Sequence, residues 1–300
     1  MTATVLHFVS RLTPIAALTL LAGCGGGGGG GVAATPAPPT VSYTALANAT
    51  ASTTLSTKAS VYEFERLNNA STPTNRSAAT NIEIVYDSAS RTYTLRGTPA
   101  IGSTTRVEQS FGPADAAAGL PAGNYDKTTS TTGNTQVSKL QVGVSANLTY
   151  TGYGHWTVGS TVGVDQRFDD VYFTYGSATQ TADMPKTGSA TYTLTVGGQG
   201  AAPLDGRGTL SANFAASTVN VSIDTQFVYR ANQTFSPFAT LTGSGAISAN
   251  GFTTQLSGGG YTGSVDGLFY GPQAAEVGGA LMIAKYGGVV AAGYLLGKKD

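Results

Sequence analysis

Apolar and polar residues alternate strictly along the last third of the chain. Over residues 189–196 apolar side chains occupy every second position, with Ser or Thr between them, and the same period of two recurs over 209–214 and 219–224. A period of two places successive side chains on opposite faces of a β-strand. Five further strands, which make eight from Ser189 onward, are predicted near 240–248, 252–257, 261–270, 277–285 and 289–296. Eight antiparallel strands with short turns can close into a barrel that is filled by side chains or holds one small ligand.

Strand signals are weaker in the region before residue 150. Strand candidates there lie at 60–65, 81–86, 91–96, 137–144 and 147–150. The second and third of these flank Asp87–Ser90, a polar turn of the kind that joins the strands of a β-hairpin. Long loops rich in Thr, Ser and Ala separate the candidates, which predicts a small and loosely packed sheet. Aromatic-rich segments at 150–158 and 170–176 connect it to the alternating strands.

The stretch 277–297 is apolar enough to suggest a membrane-spanning helix. Lys285–Gly288 divides it near its midpoint and its glycines disfavour a helix, so two buried strands joined by a turn fit better. An eight-stranded outer-membrane barrel is a second alternative, which the Gly, Tyr and Thr content suits. The polar strand faces and the charged end Lys298–Asp300 favour a soluble barrel instead.

The first 40 residues have the pattern of an exported and tethered protein. Arg11 precedes an apolar run over 12–22 that is too short to span a membrane as a helix, which predicts a secretory signal over 1–23. Leu21-Ala22-Gly23-Cys24 resembles the bacterial lipobox, so Cys24 is expected to carry acyl chains such as palmitate that anchor this end in a membrane. The remaining residues to position 40 begin with seven glycines and continue with Pro and Ala, which predicts a flexible tether.

Composition supports an all-β chain and excludes several classes of partner. The 300 residues carry 16 Lys+Arg and 16 Asp+Glu, so the net charge is zero and the electrostatic footprint of a nucleic-acid-binding protein is missing. Few charges and abundant Thr, Ser, Gly and Tyr favour strands over helices. Cys24 is the only cysteine, so its acylation leaves none for a disulfide or a metal site.

The chain offers neither a catalytic constellation nor a metal-binding pattern. A Ser-His-Asp triad would have to use His155, the only histidine after the signal, and no Gly-x-Ser-x-Gly elbow accompanies it. Asp165, Asp169 and Asp170 are close in sequence but lack the spacing of a calcium loop, so they predict a solvated loop. We therefore expect a protein that is not an enzyme and has no metal site.

His155 and Trp156 form one candidate ligand-binding pair. Neutral imidazole can ligate haem iron, and His155 is the only histidine available for that role. The alternative is a histidine that is hydrogen-bonded at a junction between domains. No cofactor other than haem is suggested by the sequence.

Residues 226–238 hold four aromatic side chains and one arginine between two predicted strands. Because Tyr, Trp and Arg dominate the binding energy of protein interfaces, Tyr229, Arg230 and Phe235 are candidate ligand-binding residues. The alternative is that Phe227 and Tyr229 extend the preceding strand, while Phe235 and Phe238 plug one end of the barrel.

A motif near the C-terminus carries a family resemblance. It reads as a strand that ends in two aromatics, a Gly-Pro turn, and a Gly-Gly entry into the next strand. Its residues are Phe269, Tyr270, Gly271, Pro272, Glu276, Gly278 and Gly279. The motif resembles that of the transferrin-binding protein B type β-barrel, which bacterial factor H-binding proteins and haemophilins also resemble. Met184–Gly188 is similar to the turn that precedes the barrel in that family.

The resemblance implies a handle-like β-domain over 41–150 and a barrel domain over 151–300, behind a lipidated tether over 24–40. It implies an outer-membrane lipoprotein that faces the cell exterior and captures an extracellular ligand, such as a host iron carrier, for nutrient acquisition. An outer-membrane transporter or an export partner is implied beside it. Transferrin receptors of the family have two handle-plus-barrel lobes, whereas the Phe-Tyr-Gly-Pro motif occurs only once in this chain. The resemblance therefore does not identify the ligand, because ligand choice depends on loops and not on the fold. Two alternatives are a haem scavenger that uses His155, as haemophilins capture haem, and a structural or adhesive lipoprotein without a soluble ligand.

Overall fold

The computed structural model describes residues 42–46, 53–70, 74–229, 234–286 and 288–300. These residues belong to one compact unit, Val41–Asp300. The predicted signal peptide, the lipidated Cys24, the glycine tether and Arg230 lie outside the described residues, so each of them stays a prediction.

The described residues fold almost entirely into antiparallel strands, which confirms the all-β prediction. Ten strands form one sheet: β1 (Thr53–Arg66), β2 (Thr74–Thr80), β3 (Ile82–Asp87), β4 (Thr92–Gly97), β5 (Val107–Phe111), β6 (Asn124–Asp126), β7 (Thr129–Thr131), β8 (Asn134–Gly143), β9 (Thr151–Val162) and β10 (Asp165–Gly176). Eight strands form a closed barrel: β11 (Ser189–Gln199), β12 (Pro203–Asn213), β13 (Thr218–Tyr229), β14 (Thr234–Ser248), β15 (Gly251–Gly258), β16 (Tyr261–Tyr270), β17 (Glu276–Lys285) and β18 (Gly288–Lys299).

The barrel from Ser189 onward is the part that the sequence predicted best. Each strand pairs with the next, and β18 returns to pair with β11 from Tyr192↔Lys299 to Gln199↔Ala292. The predicted apolar positions of β11 are buried and its threonines are exposed, as a period of two requires. Apolar side chains from all eight strands form one buried cluster inside the barrel. Burying each large one contributes about 1.5–3 kcal/mol, which helps to offset the entropy lost on folding.

The ten-stranded sheet runs in the order β5-β4-β3-β1-β10-β9-β8-β6, with β2 beside β1 and β7 beside β8. Side chains from its two halves share one core. Fully buried members of that core are Ile84, Leu95 and Phe111 from one half and Leu140, Trp156, Val171 and Phe173 from the other. The sheet therefore has a core of its own, separate from that inside the barrel.

The sheet extends further along the chain than residue 150, where the sequence set the domain boundary. β9 and β10 pair with β8 and β1, and the hydrogen-bonded barrel begins at Ser189, where the sequence placed the first of its eight strands. The strand predicted at 147–150 is wrong. The N–H of Leu148 donates to Ser145 O in a turn, and the N–H groups of Thr149 and Tyr150 donate to a side chain of the barrel and not to a neighbouring strand.

The apolar stretch 277–297 forms β17 and β18, as the sequence predicted in preference to a helix. Among the described residues, we find no helix with the length and apolar character that crossing a bilayer requires.

The barrel has two rims. The first rim holds the connections β12–β13, β14–β15 and β16–β17, and the second rim holds β11–β12, β13–β14, β15–β16 and β17–β18. In a closed ring of eight, β14 lies opposite β18.

The sheet packs against β16, β17 and β18 and runs from the first rim toward the second. Tyr270, at the first rim, donates its hydroxyl to Ser56 O of β1 over 3.4 Å. Further along β1, Ser60 Oγ donates to Gly293 O over 2.8 Å, and Tyr62 packs on Ala292 near the start of β18. The end of β1 and the turn after it therefore lie toward the second rim.

Candidate functional site

The family-like motif lies at the first rim, between β16 and β17. Phe269 is fully buried in the barrel core and Tyr270 in the contact with the sheet. Gly271 has φ 71° and ψ −175°, and a Cβ atom there would lie 2.3 Å from the ring of Tyr150. Pro272 begins a 3₁₀ turn, Pro272–Ala274. The turn therefore requires glycine both for its backbone conformation and for the close approach of the sheet.

Glu276 connects the barrel to the segment that enters β9. Its side chain is 1% exposed, and Oε1 accepts the backbone N–H of Thr149 over 2.6 Å. Oε2 accepts the N–H groups of Tyr150 and Thr151, each over 2.9 Å. A buried carboxylate is stable when hydrogen bonds replace the water it has lost, and three N–H donors supply them here.

The two glycines that end the motif allow close packing, Gly278 against the sheet and Gly279 against the neighbouring barrel strand. A Cβ atom on Gly278 would lie 3.0 Å from Cβ of Thr174 in β10. A Cβ atom on Gly279 would lie 3.0 Å from Cα of Gly267 in β16. Four of the motif residues thus contact the sheet or the segment that enters β9: Tyr270, Gly271, Glu276 and Gly278. Phe269 and Gly279 pack within the barrel, and the contacts described here are structural.

The chain enters the described body at the first rim as well. Tyr43 donates its hydroxyl to Asp183 over 2.8 Å, and its ring packs edge-on against Tyr150. The N–H of Leu46 donates to Thr149 O over 2.9 Å. Residues 42–46 are therefore tied to the same rim as the motif.

The second rim is closed by aromatic rings. Phe227 and Phe238 have ring centroids 4.3 Å apart, and Phe238 meets Tyr261 edge-on at 4.9 Å. All three are partly buried against the barrel core. Phe238 sits at a register shift between β13 and β14, which leaves it without a cross-strand partner. These rings occupy the plugging role that the sequence offered as an alternative for Phe238.

Tyr229 and Phe235 differ from those rings because they are exposed. Tyr229 is 43% and Phe235 58% exposed, at the ends of β13 and β14. Tyr229 pairs with Thr234 and Phe235 with Val228, so the two aromatics lie at successive rungs on opposite faces of the hairpin. Both are accessible to solvent at the second rim. Arg230, between them in sequence, lies outside the described residues.

A second exposed apolar group, which the sequence pattern did not predict, lies at the tip of the sheet. Val162 and Val164 flank the β9–β10 turn, and Leu67 follows β1; each is about half exposed or more. The N–H of Asn68 donates to Asp165 Oδ1 over 2.6 Å, which holds the two turns together. The sequence signal for this group is a valine on each side of the turn glycine, Gly163. We call Leu67, Val162 and Val164 the sheet tip.

Trp156 is removed from the candidate ligand-binding residues by its burial. It is fully buried in the sheet core, and its indole N–H donates to Gln109 Oε1 over 3.2 Å. Successive residues of a strand point to opposite faces, so Trp156 turns inward while His155 turns toward the barrel.

His155 lies at the junction of sheet and barrel, where its ring is already engaged. Nε2 lies 2.7 Å from Asp170 Oδ1 and 3.1 Å from Thr157 Oγ1. The imidazole stacks on Tyr172 with a centroid distance of 4.4 Å. This is the hydrogen-bonded junction histidine that the sequence analysis offered as the alternative to a haem ligand.

Asp165, Asp169 and Asp170 lie within β10, so the prediction of a solvated loop is wrong. Asp169 is buried beside Glu63, which Arg76 and Arg167 bind through ion pairs. Burial, with the charge of Glu63 next to it, raises the pKa of Asp169 to about 6. The positive charges of the two arginines beside this pair disfavour binding of a metal cation. In the described part of the chain, no three His, Cys, Asp or Glu side chains are grouped to hold a metal.

Comparison with solved structures finds several transferrin- and lactoferrin-binding proteins, each at low sequence identity. A transferrin-binding protein B double mutant from Haemophilus parasuis Hp5 is 14% identical, with 82% of this chain and 76% of that chain covered and a TM-score of 0.39. Isotype 1 transferrin-binding protein B from serogroup B Neisseria meningitidis is 12% identical, with 80% and 63% covered and a TM-score of 0.37. The N-lobe domain of lactoferrin-binding protein B from Moraxella bovis is 15% identical, with 54% and 80% covered and a TM-score of 0.35.

No curated protein sequence matches the chain. A family model does, and it describes the C-lobe and N-lobe β-barrels of Tf-binding protein B. The match covers residues 142–294, which is 153 of the 300 residues and includes β9, β10 and most of the barrel. The chain therefore belongs to the family of transferrin-binding protein B β-barrels.

Proposed function

We propose that the protein is a lipid-anchored outer-membrane protein that captures an extracellular protein ligand at its second rim and catalyses no reaction. The observation that carries this proposal is that the two ends of the body differ. The chain enters at the first rim, and most of the exposed large apolar side chains lie toward the second. An anchor that precedes residue 42 would leave the second rim facing away from the membrane.

Two separate apolar groups at that end could engage one partner. The sheet tip projects past the part of β1 that contacts β18, while Tyr229 and Phe235 lie on the opposite wall of the barrel. A partner that touches both would span the rim, which suits a protein better than a small molecule. Exposed aromatic anchors that become buried on binding supply most of the energy of such interfaces.

The proposed ligand and membrane partners are suggested by the family to which the chain belongs. The matched family takes its name from Tf-binding, and the similar solved structures are named as binding transferrin or lactoferrin. A host iron carrier is accordingly the first ligand to test, in a nutrient-acquisition role beside an outer-membrane transporter. Cys24 is the proposed site of lipidation, and an export system would have to carry the lipoprotein to the cell surface.

Exposure on the cell surface is tested by digesting intact cells with proteinase K. We expect the barrel to disappear from blots while a periplasmic control protein survives. If the barrel resists proteinase K until the outer membrane is opened, the receptor proposal is contradicted. A role inside the periplasm would then remain. A Cys24→Ser variant should lose the anchor and appear in the soluble fraction.

Ligand capture is tested with the protein immobilised and exposed to host fluids, with purified transferrin and lactoferrin as the first probes. We expect one specific protein to be retained and the double substitution Tyr229→Ala with Phe235→Ala to weaken its binding by about 10- to 100-fold. Val164→Ser at the sheet tip should also weaken it. Val144→Ser is the matched control, because Val144 is similarly exposed but follows the end of β8 nearer the first rim.

A structural or adhesive lipoprotein would behave differently in the same experiment. It would retain no specific protein from fluids or spent medium. A ligand whose retention falls equally in the Val144 and Val164 variants would also contradict binding at the second rim.

Haem capture through His155 has its own test. Because Asp170 and Thr157 already engage Nε2, we expect haem titration to give no Soret shift that depends on this histidine. The measurement compares the protein with its His155→Ala variant at equal haem. A shift that the substitution abolishes would contradict this expectation and establish the scavenger alternative.

A further inference from the structure

A cleft of about 300 Å³ lies between the sheet and the wall of the barrel. Its barrel side includes Gly197 and Gly198 of β11, where a side chain would have no room. A Cβ atom on Gly197 would lie 2.6 Å from the hydroxyl of Tyr294, and one on Gly198 would lie 2.2 Å from Ala292 O. Tyr153 and His155 of β9 line the opposite side. The cleft therefore lies over closely packed β11 backbone on one side and the sheet on the other.

Two phenol groups line this cleft. Tyr153 and Tyr294 stack with centroids 5.1 Å apart and planes inclined by 16°. Among the described residues we find no hydrogen-bond partner for either hydroxyl. Burial raises the pKa of Tyr294, so its hydroxyl stays neutral at physiological pH. Two phenol oxygens are thus available to a guest in the cleft.

The charged side chains in and behind the cleft are all acidic. Asp205 of β12 lines it, and Asp170 lies directly behind His155, whereas no lysine or arginine is among the lining residues. Gln226 donates to Asp205 Oδ2 over 2.9 Å, and within the described residues Oδ1 has no hydrogen-bond or ion-pair partner. A carboxylate with a spare oxygen, beside two phenol hydroxyls, favours a cationic donor over an anion.

We propose that this cleft binds a small organic cation with an ammonium group. The ammonium N–H groups would donate to Asp205 and to the phenol oxygens of Tyr153 and Tyr294, and the apolar part of the guest would lie along the tyrosine rings. The volume is at the lower end of the range for small-molecule sites, which limits the guest to a short amine. The site is independent of protein capture at the second rim.

Calorimetric titration of the purified full chain with three probes of equal length tests the proposal. The probes are butylammonium chloride, 1-butanol and sodium butyrate, which present a cation, a neutral molecule and an anion. We expect only butylammonium to bind, and Asp205→Asn to weaken it by at least about tenfold. Tyr294→Phe, which keeps the ring and removes the hydroxyl, should weaken binding by a smaller factor.

Asp224→Asn is the matched control. Asp224 of β13 also accepts one side-chain hydrogen bond, from Thr240, but it does not line the cleft. Binding should be unchanged in this variant. The proposal is overturned if 1-butanol binds as tightly as butylammonium, if the two aspartate variants weaken binding equally, or if no probe binds below about 10 mM.

Discussion

Replacing Glu276 with glutamine is expected to lower the free energy of unfolding by about 3–5 kcal/mol, the range for removing one member of a buried charge-assisted network. Both carboxylate oxygens are in use: one accepts Thr149 N–H, and the other accepts those of Tyr150 and Thr151. Either orientation of the glutamine amide turns its NH₂ group toward at least one of these donors. The variant keeps the volume of the side chain, so the loss reports on hydrogen bonding and not on packing.

Urea unfolding, followed by tryptophan fluorescence, measures this loss. Trp156 is the only tryptophan of the chain and is buried in the sheet core, so its emission reports on the part of the fold that Glu276 connects to the barrel. Glu108→Gln is the control, because Glu108 pairs with Arg96 on the exposed surface, where an ion pair contributes little. If both variants unfold at the same urea concentration as the parent, the three N–H bonds do not stabilise the junction.

The stability of the protein should depend on Asp169 between about pH 4 and pH 7. Burial, then the neighbouring charge of Glu63, raises its pKa to about 6, against about 3.9 for a free aspartate. A raised pKa means that the folded state holds the proton more tightly than the unfolded state. The stabilisation is therefore complete below about pH 4 and is lost as the pH rises through about 6.

The expected loss is about 2 kcal/mol between those limits, after an allowance for water around the two arginines. Asp169→Asn carries no charge and can still donate to Glu63, so its melting temperature should lack this decline. The difference between parent and variant across the pH range isolates Asp169 from the other carboxyl groups.

Asp126→Asn provides a control of opposite sign. The side-chain hydrogen bond from Thr128 holds the pKa of Asp126 below its usual range, so its contribution is present at neutral pH and lost as the pH falls. A difference curve for Asp169→Asn that is flat from pH 4 to pH 7 would contradict the raised pKa of Asp169.

The family-like motif could be recognised from the sequence, but its physical role could not. The order of residues shows an aromatic strand end, a Gly-Pro turn and a glycine pair. It does not show that Glu276 receives three N–H groups from a segment 125–127 residues earlier. That contact exists only because the sheet and barrel meet at the first rim.

For the candidate binding residues too, local sequence predicted some features and only the tertiary structure decided others. Local sequence marked Tyr229 and Phe235 as aromatics in a connection, and both are exposed. It also marked Trp156, which is fully buried, because the inward face of β9 is decided by the core of the sheet. The sheet tip was missed because Leu67 lies 95 residues before Val162, and a hydrogen bond between turns brings them together.

The sequence by itself determined that this protein is all-β and that its last eight strands can close. An apolar side chain at every second position specifies both the strand and the face that it buries, so the barrel of β11–β18 follows from local pattern. Tertiary structure alone decided that β9 and β10 complete the sheet, that Glu276 joins sheet to barrel, and that a cleft opens over Gly197 and Gly198. The physical reason is that a strand's partners and the packing of one sheet on another depend on residues far apart in the chain, which no local period records.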